Sequence, residues 1–508
     1  MKIGKVYLVG AGPGDYKLVT LKGLELVKKC DVVVYDRLSS PEILNNTKDG
    51  CEFIYVGKKS GNHTMKQYDI NKLLVEKAKE GKEVVRLKGG DPYVFGRGGE
   101  EGEYLFNEGI DFEVVPGITS AIGGLCYGGI PITNRGYNTS FHIITGHLKD
   151  EKDELDFTNL AKLDGTLVFL MGMKNLERIC EELIKNGKNI DTPVAIIHWA
   201  TYPNQQVITG KLSNITEEVK KHKITSPSLI VVGEVVKLRE KLNFQERKPL
   251  FGKNIIITRP ETQEEGITNS ILSLGGNPIS IPSIEIKDIW PNSELMEAID
   301  DITEYSYIVF TSVNGVKIFM KGLDYRSYDV RKLGNIKVVA IGSATADSLK
   351  ERGIIADIIP KRYIAEDIYD ELSSILDKND RILIPRSKNA RSYLVDELSN
   401  ICEVKEIHTY YTESAKNNKD ILLNTLNNQE IDYITFTSSS TVKGVIDLLG
   451  KDNIDLIKVI NKVSIGPITS DTMNKYGLNV DLEAEKYNVE GIIKSILLEE
   501  DKSNEFNK

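Results

Sequence analysis

One junction constrains this chain more than any other. In Val6-Tyr7-Leu8-Val9-Gly10-Ala11-Gly12-Pro13-Gly14-Asp15 an apolar strand pattern runs into a glycine-rich turn and an expected helix start. Glycine permits positive φ and close backbone approach, and proline is poor inside a strand but acceptable at a turn or in a first helical turn. Such a junction usually faces a ligand. Along the chain, β-rich runs such as Asp31–Asp36, Glu83–Leu87 and Thr166–Met171 alternate with Lys/Glu-rich amphipathic stretches. This alternation predicts an α/β fold with mostly parallel sheets.

A chain of 508 residues, 27% of them charged, has material for several cores. Around Asn243–Lys253 it turns polar and proline-containing, and a new strand pattern begins at Asn254-Ile255-Ile256-Ile257. The expected organisation is a domain over 1–243, a linker at 244–252, a second domain over 253–498 and a disordered charged tail at 499–508. The net charge of −9 argues against a sequence-independent nucleic-acid binder, so an anionic substrate must meet local basic clusters. No signal-peptide pattern precedes the first strand and no apolar run is long enough to span a bilayer, so no membrane partner and a cytoplasmic location are expected. Cys30, Cys51, Cys126, Cys180 and Cys402 are scattered without a C-x-x-C pair, which fits reduced thiols. His63, His142, His147, His198, His222 and His408 show no close metal-ligand spacing, so no metal is expected.

The second half contains an internal repeat. Phe310-Thr311-Ser312 recurs as Phe436-Thr437-Ser438, and Ile341–Gly353 recurs as Ile465–Gly477 at nearly the same offset. Two similar strand–turn–helix series imply two related lobes with a cleft between them. The hydroxyls fall where a helix N-terminus offers free N–H groups, so each taken singly reads first as a helix cap, while the doubled pattern reads as ligand donors presented to one cleft.

The first loop lacks the G-x-G-x-x-G spacing of a dinucleotide site, because Asp15 stands where the third glycine belongs. A carboxylate there would repel a pyrophosphate, although Asp36 ends the second strand about where a ribose-binding acid belongs. The segments Arg86–Glu101 and Val115–Ala121, with the opening loop and Tyr35-Asp36-Arg37-Leu38, decide the matter. Over about residues 3–242 the chain resembles the uroporphyrinogen-III C-methyltransferases, continuing through Gly129–Thr133, Thr145-Gly146-His147 and Leu170-Met171-Gly172.

That resemblance implies a two-subdomain tetrapyrrole methylase fold, S-adenosylmethionine as methyl donor and a homodimer. A phosphate-free cofactor removes the objection to Asp15. The implied cofactor contacts are Pro13, Gly89, Gly90, Asp91, Val94, Thr119, Ser120, Met171 and Ala200; taken singly, Met171 and Val94 read as core residues. The implied reaction carries two methyl groups to uroporphyrinogen III, giving precorrin-2 through precorrin-1, with Asp36 as proton acceptor and Lys58 as proton donor. Without the resemblance, Asp36 caps a turn or pairs with Arg37, and Lys58 binds a substrate carboxylate. Arg37, Arg97, Arg135 and His147 are further candidates for the substrate's carboxylates. Asn134 stands where the family commonly has His, which puts a catalytic role at that position in doubt.

From about Phe251 to Leu498 the chain resembles the uroporphyrinogen-III synthases, through Ile257–Pro260, Phe310–Gly315, Ile341–Thr345, Ile384-Pro385-Arg386, Thr409-Tyr410 and Ile465–Thr469. A two-lobed α/β uroporphyrinogen-III synthase fold follows from it, one lobe built from both ends of the domain, as does closure of hydroxymethylbilane to the ring with inversion of the last pyrrole. Tyr410 is the implied aid to the leaving hydroxyl; as a bare residue it reads as interlobe packing with a satisfied hydroxyl. Thr311, Ser312, Thr345, Ser438, Ser439 and Thr469 would offer donors to carboxylates, whereas Arg386, Lys388 and Arg391 read mainly as a solvated basic loop. The expected whole is a bifunctional enzyme of tetrapyrrole synthesis. The alternative is a methylase of a later corrinoid intermediate joined to a non-catalytic two-lobed tetrapyrrole sensor.

Overall fold

The computed structural model describes residues 3–37, 41–57, 65–146, 155–360 and 365–506. The chain divides into two compact units, Met1–Gly252 and Lys253–Lys508.

In the first unit, β1 (Val6–Gly10), β2 (Val32–Tyr35), β3 (Glu52–Tyr55), β4 (Val84–Lys88) and β5 (Phe112–Val115) form one sheet in the order β3-β2-β4-β1-β5, every pair parallel. Valine-rich strands such as Val32–Val34 are buried on both faces, as parallel sheets covered by helices require. The register sets Gly10 opposite Lys88, Val9 opposite Val115 and Tyr35 opposite Leu87, so the carboxyl ends share one edge. From β1 the chain proceeds to β2 and β3 on one side, and from β4 to β5 on the other. Strand order therefore reverses between β1 and β4, the place where open α/β sheets bind ligands.

The second sheet of this unit joins β6 (Phe141–Thr145), β7 (Thr166–Leu170), β8 (Pro193–His198), β9 (Gln206–Lys211) and β10 (Ser228–Val232) in the order β6-β7-β10-β8-β9. Here the expectation of mostly parallel pairing fails, since only β6 and β7 run parallel. The short turn at 199–205 folds β9 back on β8, and β10 enters antiparallel between β7 and β8.

The second unit holds β11 (Asn254–Ile257), β12 (Asn277–Ser280), β13 (Ile284–Asp288), β14 (Tyr307–Phe310), β15 (Lys337–Ala340), β16 (Arg381–Ser387), β17 (Glu403–Ser414), β18 (Tyr433–Phe436), β19 (Asn461–Ser464) and β20 (Leu482–Glu483). They make two sheets, β12-β11-β18-β19-β20 and β13-β17-β16-β14-β15. The first lobe is thus assembled from both ends of the unit and the second from its middle. Ser283 lies at the crossing, its single hydroxyl proton shared between the carbonyls of Thr258 at 3.1 Å and Thr441 at 3.0 Å. The repeat read in the sequence is a structural repeat. β14 leads into helix Val313–Tyr325 and β18 into helix Ser439–Leu449, and helices Ser343–Lys350 and Pro467–Lys475 end at Gly353 and Gly477 with φ of 81° and 72°.

Three local expectations need correction. The glycine turn does not start an α-helix: Asp15 caps a short 3-10 turn, Tyr16–Leu18, and the α-helix Leu21–Lys29 begins after Thr20, whose Oγ1 accepts from Gly23 N at 3.1 Å. The stretch 244–252, expected as a linker, falls within the first compact unit, where Leu250 is fully buried, Gln245 is buried and Glu246 pairs with Arg239. A helix runs from Val489 to Phe506, so the described part of the expected disordered tail, 499–506, is helical. Its charged residues are amphipathic in arrangement. Glu500 turns inward, accepting from the Tyr433 hydroxyl at 2.6 Å and pairing with Lys253 at 2.9 Å, while Glu499, Asp501 and Lys502 lie on the more exposed side.

Candidate functional site

In the first unit the reversal point of the parallel sheet is closed by backbone. Ala11 N donates to Lys88 O at 2.8 Å, Gly12 N to Gly90 O at 3.2 Å, and Gly90 N to Gly12 O at 2.7 Å. A third loop joins them, since a Cβ at Gly117 would overlap Gly90 O and one at Gly10 would lie 2.5 Å from Gly117 Cα. Gly90 itself has φ of 73°, and a Cβ there would meet nothing nearer than 3.8 Å, so it offers bare backbone and open room beside Thr119. Gly89 precedes it at the end of β4. The Asp91 carboxylate accepts from Tyr93 N at 2.8 Å and from Gly117 N at 2.9 Å, which fixes this loop to the next.

The second subdomain meets the same edge. Thr119 caps helix Ser120–Tyr127, and Pro13 packs where a Cβ on Gly123 would be only 2.9 Å from its Cγ. Val94 and Ala200 both pack against the core formed with that helix. Met171 is 53% exposed, which overturns a core reading for it. It holds φ of 57°, and Trp199 and Thr201, after β8, hold 46° and 71°. Strained backbone of this kind clusters at ligand-facing loops. Thr201 Oγ1 accepts from Asp15 N at 3.0 Å, and Asp15 Oδ2 accepts from the Tyr127 hydroxyl at 2.7 Å. Arg37 lies 5.8 Å from the Trp199 ring centroid, and Gly14 abuts the Tyr202 ring so closely that a Cβ would overlap it. Asp15, expected beside the ligand, is thus a clasp between the two subdomains.

Asp36 follows β2, and Arg86 Nη2 donates to its Oδ2 at 3.2 Å. The sequence suggested its neighbour Arg37 for that ion pair; the sheet supplies Arg86 from the adjacent strand. Arg86 and Lys88 are buried in β4, and both reach Glu101 Oε1, at 3.4 and 2.8 Å; Gln67 Nε2 adds a third contact at 3.0 Å. Burial, with Arg86 alongside, lowers the Lys88 pKa despite the Glu101 carboxylate. Arginine and lysine inside an otherwise apolar strand, Val84-Val85-Arg86-Leu87-Lys88, signalled such a network, because buried charges demand partners. The identity of those partners was not legible. Lys58 and His147 lie outside the described residues. Arg97 is exposed and pairs with Glu100 at 2.7 Å, Arg135 is exposed, and the Asn134 amide donates to Arg135 O at 3.3 Å.

In the second unit the strand order reverses between β14 and β16, and Tyr410 of β17 reaches that point. Its hydroxyl donates to Ser312 Oγ at 2.8 Å, with Asn314 and Ser387 also in hydrogen-bonding contact. The ring belongs to the hydrophobic core of its own lobe, and burial raises the phenol's pKa, so the hydroxyl is a donor at neutral pH. Arg386 contradicts the solvated-loop reading. It is 3% exposed and lies 3.3 Å from Glu406, whereas Lys388 and Arg391 are exposed. Ser312 and Ser438 cap their helices, through Gly315 N at 3.0 Å and Thr441 N at 3.3 Å, each worth about 1 kcal/mol. Ser439 Oγ donates to Ile468 O at 3.2 Å; Thr345 and Thr469 are buried, and Thr311 lies half-buried beside Ser312. Among the described residues no group of three or more His, Cys, Asp or Glu is placed to hold a metal ion, and no helix is long and apolar enough to cross a membrane.

Comparison with known proteins divides along the same line. The profile of the Tetrapyrrole (Corrin/Porphyrin) Methylases matches residues 5–216, and that of Uroporphyrinogen-III synthase HemD matches residues 266–494. The porphyrin biosynthesis protein HemD of Ruminiclostridium josui is 41% identical over 499 residues, covering 98% of both chains. The uroporphyrinogen-III C-methyltransferase of Priestia megaterium is 53% identical over 46% of this chain and 99% of its own length. The crystal structure of a uroporphyrin III C-methyltransferase from Thermus thermophilus, 40% identical, covers 46% of this chain and 100% of its own, with a TM-score of 0.41.

Proposed function

Since the chain belongs to the HemD-type porphyrin-biosynthesis proteins that join a tetrapyrrole methylase to a uroporphyrinogen-III synthase, we propose how its residues carry the two reactions. It is a bifunctional enzyme, with a uroporphyrinogen-III C-methyltransferase domain followed by a synthase domain. The methylase domain lies within Met1–Gly252 and the synthase domain within Lys253–Lys508, with the methylase half self-associating as a dimer in the cytoplasm.

The observation that carries the methyl-transfer reading is the glycine-lined crevice at the β1/β4 reversal. Its open face at Gly90 suits a cofactor that needs carbonyls and hydroxyls at close range and no anion-binding helix terminus. Pro13, Gly89, Gly90, Asp91, Val94, Thr119, Ser120, Met171 and Ala200 would hold S-adenosylmethionine there. When bound, it supplies an electrophilic methyl group on sulfur. Orientation of the tetrapyrrole carbon against that methyl accounts for much of the rate, up to about 7–11 kcal/mol. As the macrocycle's double bonds rearrange, Asp36 takes the proton it sheds, with Arg86 fixing the carboxylate's direction. Lys58 is the donor. Arg37 and Arg97 meet substrate carboxylates from the rim, and Asp91 holds the cofactor loop.

In the synthase half, Tyr410 donates toward the leaving hydroxyl of hydroxymethylbilane, with Ser312 orienting the phenol. Ring closure then needs a held geometry more than a chemical group, and no metal takes part. The decisive experiment supplies hydroxymethylbilane with and without S-adenosylmethionine and follows products by mass and absorbance. Uroporphyrinogen III is expected without the donor, and two added methyl masses with it. Only the I isomer, or no methyl gain, would overturn the respective half of the assignment.

A further inference from the structure

Arg259 stands two residues after β11, whose last residues pair with β18. In that all-parallel sheet β11 leads to β12 on one side, while β18 leads to β19 and β20 on the other. Arg259 therefore occupies the rim of the reversal point of the first lobe, on the same edge as the Thr437-Ser438 turn that opens helix Ser439–Leu449. This is the crevice in which open α/β sheets take ligands.

Its electrostatic situation is unusual for this protein. Other withdrawn arginines each have a carboxylate: Arg86 has Asp36 and Glu101, Arg239 has Glu246, and Arg386 has Glu406. Arg259 is half-buried, and among the described residues no carboxylate pairs with it. Its Nε is shielded from solvent without a hydrogen-bond partner, and the bond from Nη2 to Gln263 Oε1 is long at 3.4 Å. Burial with no opposing charge lowers its pKa. A guanidinium withdrawn from water without an anion is costly, and a forked donor set fits a carboxylate. Gln263 in turn donates to Asn314 Oδ1 at 3.3 Å, which ties Arg259 to the first turn of helix Val313–Tyr325, beside Tyr410 in the other lobe.

We propose that Arg259 is the receptor for a carboxylate side chain of the linear tetrapyrrole in the synthase half, supplying the forked charge at the β11/β18 crevice. The inference rests on the synthase reading. The arginine's missing counter-ion is the substrate's own, and Gln263–Asn314 couples its occupation to the Tyr410 site.

The test uses the full chain carrying Arg259→Gln or Arg259→Lys, with methyl transfer to uroporphyrinogen III as the internal control. Arg259→Gln is expected to raise KM for hydroxymethylbilane about ten- to a hundredfold, with kcat less affected and methyl transfer unchanged. A folded Arg259→Gln variant with the parent KM overturns the proposal. If that variant does not fold, titration of Arg259→Lys with uroporphyrin III by fluorescence decides, fitted as two sites with the methylase-half affinity fixed from inhibition of methyl transfer by the same ligand. Affinity weakened about tenfold supports the forked contact, and parent affinity overturns it. Should the parent enzyme fail to close the ring, the synthase reading falls alone, and the same titration of parent against Arg259→Gln still tests Arg259 as a carboxylate receptor.

Discussion

Arg86 reaches across from β4 to hold Asp36 at 3.2 Å, and the same guanidinium lies 3.4 Å from the fully buried Glu101. The proposed proton acceptor is therefore the outer member of a buried charge network, with its carboxylate direction set from behind. Asp36→Asn keeps the shape and removes the base. Methyl transfer should fall about a hundredfold in kcat, with KM for S-adenosylmethionine and ring closure unchanged. Steady-state assays of both activities on one preparation check this.

The contact of Gly10, Gly90 and Gly117 leaves no room for a side chain. Gly117→Ala should cost about 1–3 kcal/mol, because backbone rather than a flexible side chain must move. The same displacement of the Gly90 loop should weaken S-adenosylmethionine binding. Thermal unfolding and calorimetric titration of the variant measure the two effects.

Tyr410→Phe retains the packed ring and removes the hydroxyl that reaches Ser312. Ring closure should slow by about tenfold or more while methyl transfer continues, and stability should drop only by about 1 kcal/mol. Product isomer ratios read the outcome, since residual turnover would shift toward the uncatalysed I isomer.

Burial and the Asp15 carboxylate raise the Tyr127 phenol well above its ordinary value of about 10. The folded pKa lies above the unfolded one, so this contribution is complete below the ordinary value. It is lost as pH rises from there toward the folded value. Melting temperature should fall with pH above about 10, and Tyr127→Phe should make that fall shallower. Melting curves across the alkaline range compare the two slopes.

The terminal helix provides a stability test in the second unit. Glu500→Ala would leave the buried Tyr433 hydroxyl without its acceptor and remove the closest carboxylate from Lys253, costing about 1–3 kcal/mol. Urea denaturation followed through the synthase activity checks it; an unchanged midpoint would show the helix end to be dispensable.

How much of the fold and the site was legible can be judged from particular residues. Gly12 and Gly14 read as a turn and hold φ of 79° and 151°; the doubled Phe-Thr-Ser motif read as a repeat and caps two equivalent helices. These are local properties, set by φ, by hydrophobic period and by capping chemistry within a few residues. The helix after Asp15 was misplaced because the aspartate caps a 3-10 turn instead, and the end of the chain was misread because composition hides which single glutamate turns inward.

The amino-acid sequence by itself determined that the chain is α/β, that the strand–glycine junction is built for close backbone approach and that the second half is duplicated. Only the tertiary structure decided what those features serve. Asp15 clasps Thr201 from 186 positions away, Arg86 finds Asp36 from 50, and Tyr410 finds Ser312 from 98. Pairings at such separation depend on strand order and register, which no local pattern encodes. The same holds for Arg259, whose place at a reversal point without a counter-ion appears only once β11 and β18 lie side by side.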